Sequence, residues 1–250
     1  AHAGKLPDLV TLADIRGDLH CHTSASDGQD SIKSMAKAAA ARGYQYLSIN
    51  EHSRHLSVAI GLDAERLLEQ LETIDRLNEE LDDIVLLKSI EVDILKDGSL
   101  DLPDKVLSKL DFTVCAVHDH FKLPSRKQTE RILRAMDNPY CNILAHPTGR
   151  LINERDAYDV DLERIIEKAI ACGCILELNA HPDRLDLNDA ACMLAKDMGA
   201  NIAISTDAHS TDGLDCMRFG VDQARRAWLE KPDVINTQPL AKLRKRFARA

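Results

Sequence analysis

The stretch Ile15-Arg16-Gly17-Asp18-Leu19-His20-Cys21-His22 is a short, mostly apolar-edged run that stops on two imidazoles. Near the other end of the chain, Asn201-Ile202-Ala203-Ile204-Ser205-Thr206-Asp207-Ala208-His209 stops on a carboxylate and an imidazole. Side chains at i and i+2 of an extended chain share a face, so each stretch presents two metal-type groups to one side. Between them lie five more runs of strand character, at 46–50, 84–92, 112–117, 142–145 and 174–179, flanking the first and last at 15–20 and 201–206. The seven runs end on or beside His20, His52, Glu91, His118, His146, Asn179 and Asp207. Successive intervals between these residues are 32, 39, 27, 28, 33 and 28, close to the length of one strand–helix unit.

Segments 31–42, 64–81, 125–137, 161–172 and 188–198 separate the runs and carry apolar residues at i, i+3, i+4 and i+7, the helical period. Gly43, Gly173 and Gly199 follow three of them as stop signals. Strands alternating with helices imply a parallel sheet with right-handed crossovers. A doubly wound open sheet brings two or three strand ends together at its switch point, whereas seven converge only in a closed or strongly curved sheet. The expected fold is therefore α/β, a distorted seven-unit (β/α) barrel of TIM-like form, with its site at the C-terminal ends of the strands. Residues 1–13, including His2, read as a linker or the remnant of an upstream domain, and 14–250 as the domain itself. The basic stretch 240–249, with Lys242, Arg244, Lys245, Arg246 and Arg249, reads as a solvated terminal helix, with a nucleic-acid contact as the alternative.

The chain has 250 residues, 41 acidic and 32 basic, and a net charge of -9. That balance argues against holding duplex DNA by broad charge neutralisation, and 4% aromatics argue against a base-stacking platform. No window approaches the ~18 apolar residues of a membrane span. Seven cysteines without a CxxC pair fit a reducing, cytoplasmic setting.

Ten histidines in such a chain are the compositional oddity, and six of them stand at strand ends. The set His20, His22, Asp27, His52, Glu91, His118, His146, Asp207 and His209 mixes imidazole with hard oxygen and contains no thiolate, which suits Zn²⁺, Mn²⁺ or Fe²⁺. Nine ligands exceed the needs of one ion, so two to three divalent metal ions are expected, with Glu91 as the bridge. Neighbouring ions activate a bridging hydroxide, here positioned by Glu91 and Asp207, and clamp the oxygens of an in-line displacement, the chemistry of phosphoester hydrolysis. Arg150, Arg184, Lys122 and Arg54 lie just beyond strand ends as candidate phosphate-binding cations. No Gly-rich phosphate loop, serine elbow or dinucleotide fingerprint is present. His55, His120 and His181 sit beside the site loops and read mainly as surface residues.

These residues resemble the polymerase and histidinol phosphatase (PHP) family. The matching stretches are Asp18–His22 through Ser26-Asp27-Gly28, Asn50-Glu51-His52-Ser53, Ile90–Ile94, Ala116-Val117-His118, Ala145-His146-Pro147 and Ser205–His209. The resemblance implies a distorted seven-unit barrel, up to three metals held by the same nine residues, and hydrolysis of phosphoesters. Within the family the chain looks most like the C-terminal PHP domain of bacterial family-X DNA polymerases, which implies Mn²⁺-assisted 3′–5′ exonuclease or 3′-end processing of DNA, with a polymerase module upstream. Three positions depart from the family pattern: Asn50-Glu51 stand where Thr-Asp is usual, Asp119-His120 follow His118 where Ser is common, and His181 replaces an expected Asn.

Three alternatives follow from the same residues. They are a stand-alone phosphomonoesterase of small phosphorylated metabolites, an amidohydrolase-type barrel with a carboxylated lysine bridge, and a non-catalytic metal-bound module that stabilises a polymerase.

Overall fold

The computed structural model describes residues 7–248; His2 and Arg249 lie outside the described residues. Eight strands follow in chain order: β1 (Gly17–Asp18), β2 (Tyr46–Ile49), β3 (Val85–Lys88), β4 (Glu91–Asp93), β5 (Val114–Ala116), β6 (Ile143–Leu144), β7 (Ile175–Asn179) and β8 (Ile202–Ser205). Every neighbouring pair is parallel, in the orders β1-β2-β3 and β4-β5-β6-β7-β8. The count of eight departs from the seven expected runs because one run, 84–92, is divided. Lys88 ends the pairing with β2, and Glu91 begins the pairing with β5. Ser89 and Ile90 carry the chain from one sheet to the other, so Glu91 opens a strand where the sequence placed it at the end of one.

The two sheets meet at both seams. On one side Glu91 N–H donates to the Glu51 carbonyl at 3.0 Å and Ser53 N–H to the Glu91 carbonyl at 2.9 Å. On the other, Asp207 N–H donates to the His20 carbonyl at 2.9 Å and His22 N–H to the Ala208 carbonyl at 2.8 Å. Lower in this second seam a side chain stands in for a strand. The Asn236 amide nitrogen donates to the Gly17 and Ile204 carbonyls at 2.9 and 2.8 Å, and its oxygen accepts from Ile204 N–H at 3.1 Å.

Alternation along the strands sorts the core into two layers. Tyr46, Leu87, Phe112, Val114, Ile143, Ile175 and Ala203 pack together inside the ring. Leu47, Ile49, Leu86, Cys115, Leu144, Leu176, Ile202 and Ile204 face the surrounding helices. Near the C-terminal ends the inward positions turn polar: Glu91 and Asp93 on β4, Glu177 and Asn179 on β7, all buried.

The helices are α1 (Ile32–Ala41), α2 (Ala64–Glu80), α3 (Asp104–Leu107), α4 (Ser125–Ala135), α5 (Leu162–Cys172), α6 (Asp189–Met198), α7 (Met217–Arg226) and α8 (Leu240–Phe247). Ser31, Asp63, Asp161 and Asn188 cap α1, α2, α5 and α6 by accepting first-turn N–H groups. Gly173 and Gly199 close α5 and α6 at φ 76° and 94°, the left-handed region where glycine is unstrained. Helix α8 closes the base of the ring, with Phe247 stacked on Phe112 at 4.6 Å between ring centres. Within 1–13, the described part is anchored at Val10, which is buried and whose N–H donates to the Leu229 carbonyl at 3.0 Å. None of the described helices is long and apolar enough to cross a membrane.

Candidate metal centre

All nine residues of the expected ligand set converge at the C-terminal mouth of the ring. Glu91 lies at their centre. Its Oε1 faces His118 Nε2 at 3.2 Å and His146 Nε2 at 2.9 Å. Its Oε2 faces His52 Nδ1, His20 Nε2 and His22 Nε2 at 2.7, 3.5 and 3.6 Å. Asp207 Oδ1 joins the latter group, 3.1 Å from His22 Nε2 and 3.7 Å from His20 Nε2. A further cluster gathers around Asp27, whose Oδ2 is 3.3 Å from His52 Nε2 and whose Oδ1 is 3.5 Å from His209 Nε2. Three sets, His20/His22/Asp207, His52/Glu91/His118 and His22/Asp27/His52/His209, each bring their donor atoms close enough to share one ion.

The donors fit divalent ions on geometry and on charge. Two ligand atoms each ~2.1 Å from one tetrahedral ion lie about 3.4 Å apart, and the spacings here, from 2.7 to 3.7 Å, bracket that value. Four buried donor atoms, His22 Nδ1, His52 Nδ1, His146 Nδ1 and Glu91 Oε2, have no hydrogen-bond partner among the described residues. Such orphans are costly in a fold unless something else pairs them. His52 Nδ1 and Glu91 Oε2 face each other at 2.7 Å without hydrogen-bond alignment, as two ligands of a common ion would.

Electrostatics agree. Burial opposes charge on His52 and His118, yet Glu91, with Asp27 or Asp93, pushes them up to about 10 and about 9. Burial likewise raises Glu91 and Asp207, but the surrounding imidazoles hold both well below the carboxylate range. Burial, with His52 and His209 stacked beside it, drives His22 down to about 3, leaving a neutral ring with a free lone pair. The pocket is thus built to hold positive charge at its carboxylates.

Buried acids outside the expected set hold the candidate ligands in place. Glu177 Oε1 accepts from His20 Nδ1 at 2.8 Å, while its Oε2 accepts from His146 N–H at 2.7 Å. Asp93 Oδ1 pairs with His118 Nδ1 at 2.9 Å. Such partners fix the tautomer that turns the other nitrogen toward the ion. Their signal was a carboxylate two residues from a site position on the same strand face: Glu91-Val92-Asp93 and Glu177-Leu178-Asn179. Asn179 itself donates to Asp207 Oδ2 at 3.0 Å. Glu51, the unusual neighbour of His52, is buried and accepts from Thr23 and Ser26, fastening the loop that carries Asp27.

The four candidate cations separate. Arg184 reaches the centre, its Nε 3.3 Å from Asp207 Oδ2. Arg150 sits one layer behind, with Nε donating to the Arg184 carbonyl at 2.7 Å and Nη2 to the Leu185 carbonyl. Lys122 and Arg54 are exposed on loops after β5 and β2. His55 is exposed and pairs with Asp119 at 2.9 Å, His120 is exposed, and His181 is half-buried beside Asp183. Cys21, between His20 and His22, faces the opposite way, into the layer under the helices, and its thiol donates to the Ser48 carbonyl at 3.0 Å.

Comparison with known proteins places this arrangement. The PHP domain model matches residues 18–181. The chain is 44% identical over 233 residues to a Bacillus subtilis protein named DNA polymerase/3′-5′ exonuclease PolX, covering 93% of this chain and 41% of that relative. It is 28% identical to a probable phosphatase of Thermoanaerobacter sp., covering 88% of this chain and 89% of the relative. A probable phosphatase of Caldanaerobacter subterraneus is 30% identical over 77% of this chain. The structure of a histidinol phosphate phosphatase from Lactococcus lactis, solved with zinc, L-histidinol and phosphate, superposes with a TM-score of 0.56 at 15% identity, over 84% of this chain and 93% of that one, which speaks to the fold. The chain belongs to the PHP family and is a metal-dependent hydrolase of phosphoester bonds.

Proposed function

We propose that the chain is a phosphodiesterase that removes nucleotides from DNA 3′ ends, the 3′–5′ exonuclease part of a larger polymerase. The observation that carries this reading is the 44% identity, across nearly the whole chain, to the relative named for both activities. The chain spans two fifths of that relative's length, which leaves room there for an upstream polymerase module. Segment 1–13 is the proposed join, and 14–250 the hydrolytic domain.

His20, His22, Asp27, His52, Glu91, His118, His146, Asp207 and His209 would hold two to three divalent ions, Mn²⁺, Zn²⁺ or Fe²⁺. When bound, these supply Lewis acidity toward a phosphoryl oxygen and lower the pKa of bound water. The remaining work belongs to the chain. Glu177 and Asp93 hold His20 and His118 in the tautomer that ligates. Arg184 presents a guanidinium beside the centre, where it can take a non-bridging phosphate oxygen in fork geometry. Arg150 acts through Arg184 by fixing the Arg184 and Leu185 carbonyls. Asn179 keeps Asp207 turned toward His22.

A second reading, a phosphomonoesterase of small metabolites, is favoured by the probable phosphatase matched over 89% of its own length. Purified protein with Mn²⁺ should shorten a 3′-hydroxyl single-stranded oligonucleotide one nucleotide at a time. Turnover confined to a panel of phosphate monoesters would overturn the exonuclease reading in favour of the second.

A further inference from the structure

Resting on the exonuclease reading, we propose that the outer face of α4 together with Lys96 is a track for the sugar-phosphate backbone of the single strand whose 3′ end occupies the metal centre. Lys96, Arg126, Lys127 and Arg134 are exposed around this face, Lys122 is exposed on the loop that leads into α4, and none of the five is in an ion pair among the described residues. In a chain of net charge -9, four such cations around one face are a local reversal of the bulk field.

Two acids stand among them, and the cations outnumber them: Asp97 keeps its charge within the field of Arg134. Glu130 pairs with Arg164 at 2.9 Å, and Asp97 Oδ1 accepts from Ser99 N–H and Oγ at 3.0 and 2.6 Å. The face is tied to the centre by covalent and ionic links. Asp119 directly follows the ligand His118, and Arg131, rising from α4, pairs with Asp119 Oδ1 at 2.6 Å. Arg131 also donates to the carbonyls of Ile94 and Leu95, drawing the 95–99 loop, and Lys96 with it, onto the helix. Gly98 permits this approach: a Cβ there would lie 2.7 Å from the Arg131 carbonyl oxygen. The cations therefore stand on a surface fastened to the segment that follows His118. Backbone phosphates would be held there by charge and without regard to base.

The test compares three proteins: wild type, the triple variant Lys96→Gln/Arg126→Gln/Lys127→Gln, and a control, Lys242→Gln/Lys245→Gln, on α8 at the base of the ring. Each is assayed with bis-p-nitrophenyl phosphate, with a 20-nucleotide single strand at several salt concentrations, and for metal content and thermal stability. With three phosphate contacts removed, the salt slope of oligonucleotide KM should flatten by about 2, and KM at low salt should rise roughly tenfold or more. Hydrolysis of the small diester and metal content should stay at wild-type level, and the α8 control should behave as wild type.

Unchanged oligonucleotide KM in the triple variant overturns the track while leaving the exonuclease reading intact. An equal effect in the α8 control overturns it too, because the bulk charge would then be responsible. A wild-type protein that cleaves monoesters and no oligonucleotide refutes the exonuclease reading itself, and the track with it.

Discussion

Replacing Glu177 by glutamine removes one charge and changes almost no volume, yet it should cripple the metal centre. Both oxygens of Glu177 are acceptors: Oε1 for His20 Nδ1 at 2.8 Å, Oε2 for His146 N–H at 2.7 Å and for Asn179 Nδ2 at 3.2 Å. An amide offers one acceptor and one donor group in their place. If its oxygen serves His146 and Asn179, its NH₂ faces His20 and selects the tautomer that carries the proton on Nε2. That nitrogen is the one turned toward Glu91 and Asp207, and once protonated it cannot bind an ion. If the amide is reversed, His20 keeps its tautomer and a buried backbone N–H meets another donor, at a cost of ~1–3 kcal/mol. Loss of such an orienting partner weakens metal affinity by about 10–100-fold, or roughly 1.4–2.8 kcal/mol. Competition with a chelator for Mn²⁺ or Zn²⁺ should show this loss, and excess metal should restore hydrolysis of a small phosphodiester. Wild-type metal affinity in Glu177→Gln would refute the tautomer argument; inactivity at full metal occupancy would show that Glu177 has another task.

Three other outcomes follow from the geometry. Arg184→Ala should raise KM for phosphoester substrates by about tenfold or more with metal content unchanged, since a charged hydrogen bond contributes ~1.5–3 kcal/mol; Arg150→Ala should give a smaller effect in the same direction, and loss of metal in either would assign it to the ligand scaffold. Burial pushes Asp186 up to about 6 from 3.8, so its folded form prefers the proton. Asp186 alone should therefore contribute about 3 kcal/mol less to stability at pH ~6 than at pH ~4, and the difference between wild type and Asp186→Asn in denaturant titrations should change by that amount across this window. Asn236→Ala strips partners from the Gly17 and Ile204 carbonyls and the Ile204 N–H; at ~1–3 kcal/mol for a buried unsatisfied group, chemical denaturation should register a loss of at least ~3 kcal/mol, and a loss below ~1 would show that the seam is held by other contacts.

The candidate ligands are legible in the chain because most stand at or beside the polar end of an apolar run, a contrast that survives without any alignment; Asp27, on the polar loop after His22, is the exception. What escaped lies where two rules overlap. Glu177 is embedded in Ile175-Leu176-Glu177-Leu178, where the apolar run itself hides an inward-facing acid. The division of 84–92 is invisible to periodicity, since Val85–Lys88 and Glu91–Asp93 are both extended and only their partners differ. Helix α7 was not read as a helix, and Gly220 within it looks like a turn. In the fold that glycine is a contact: a Cβ would lie 2.5 Å from Ile204 Cγ2 and 2.6 Å from Ala180 Cβ. Arg150 is read from its type and its place just beyond a strand end, whereas its direction depends on the carbonyls of a loop that sequence does not position.

The handover of the chain between its two sheets at Ser89 and Ile90 has a consequence for how the molecule holds together. His20, His22, Asp27 and His52 belong to the three-stranded side, while His118, His146, Asp207 and His209 belong to the five-stranded side, and Glu91 stands on the join. Ions at this centre would act as rivets driven through two plates. Demetallation should then loosen the protein along a line, with amide hydrogens of Ser53, Glu91, His22 and Asp207 exchanging sooner than those within either sheet, so that the enzyme's catalyst and its mechanical fastening are withdrawn together.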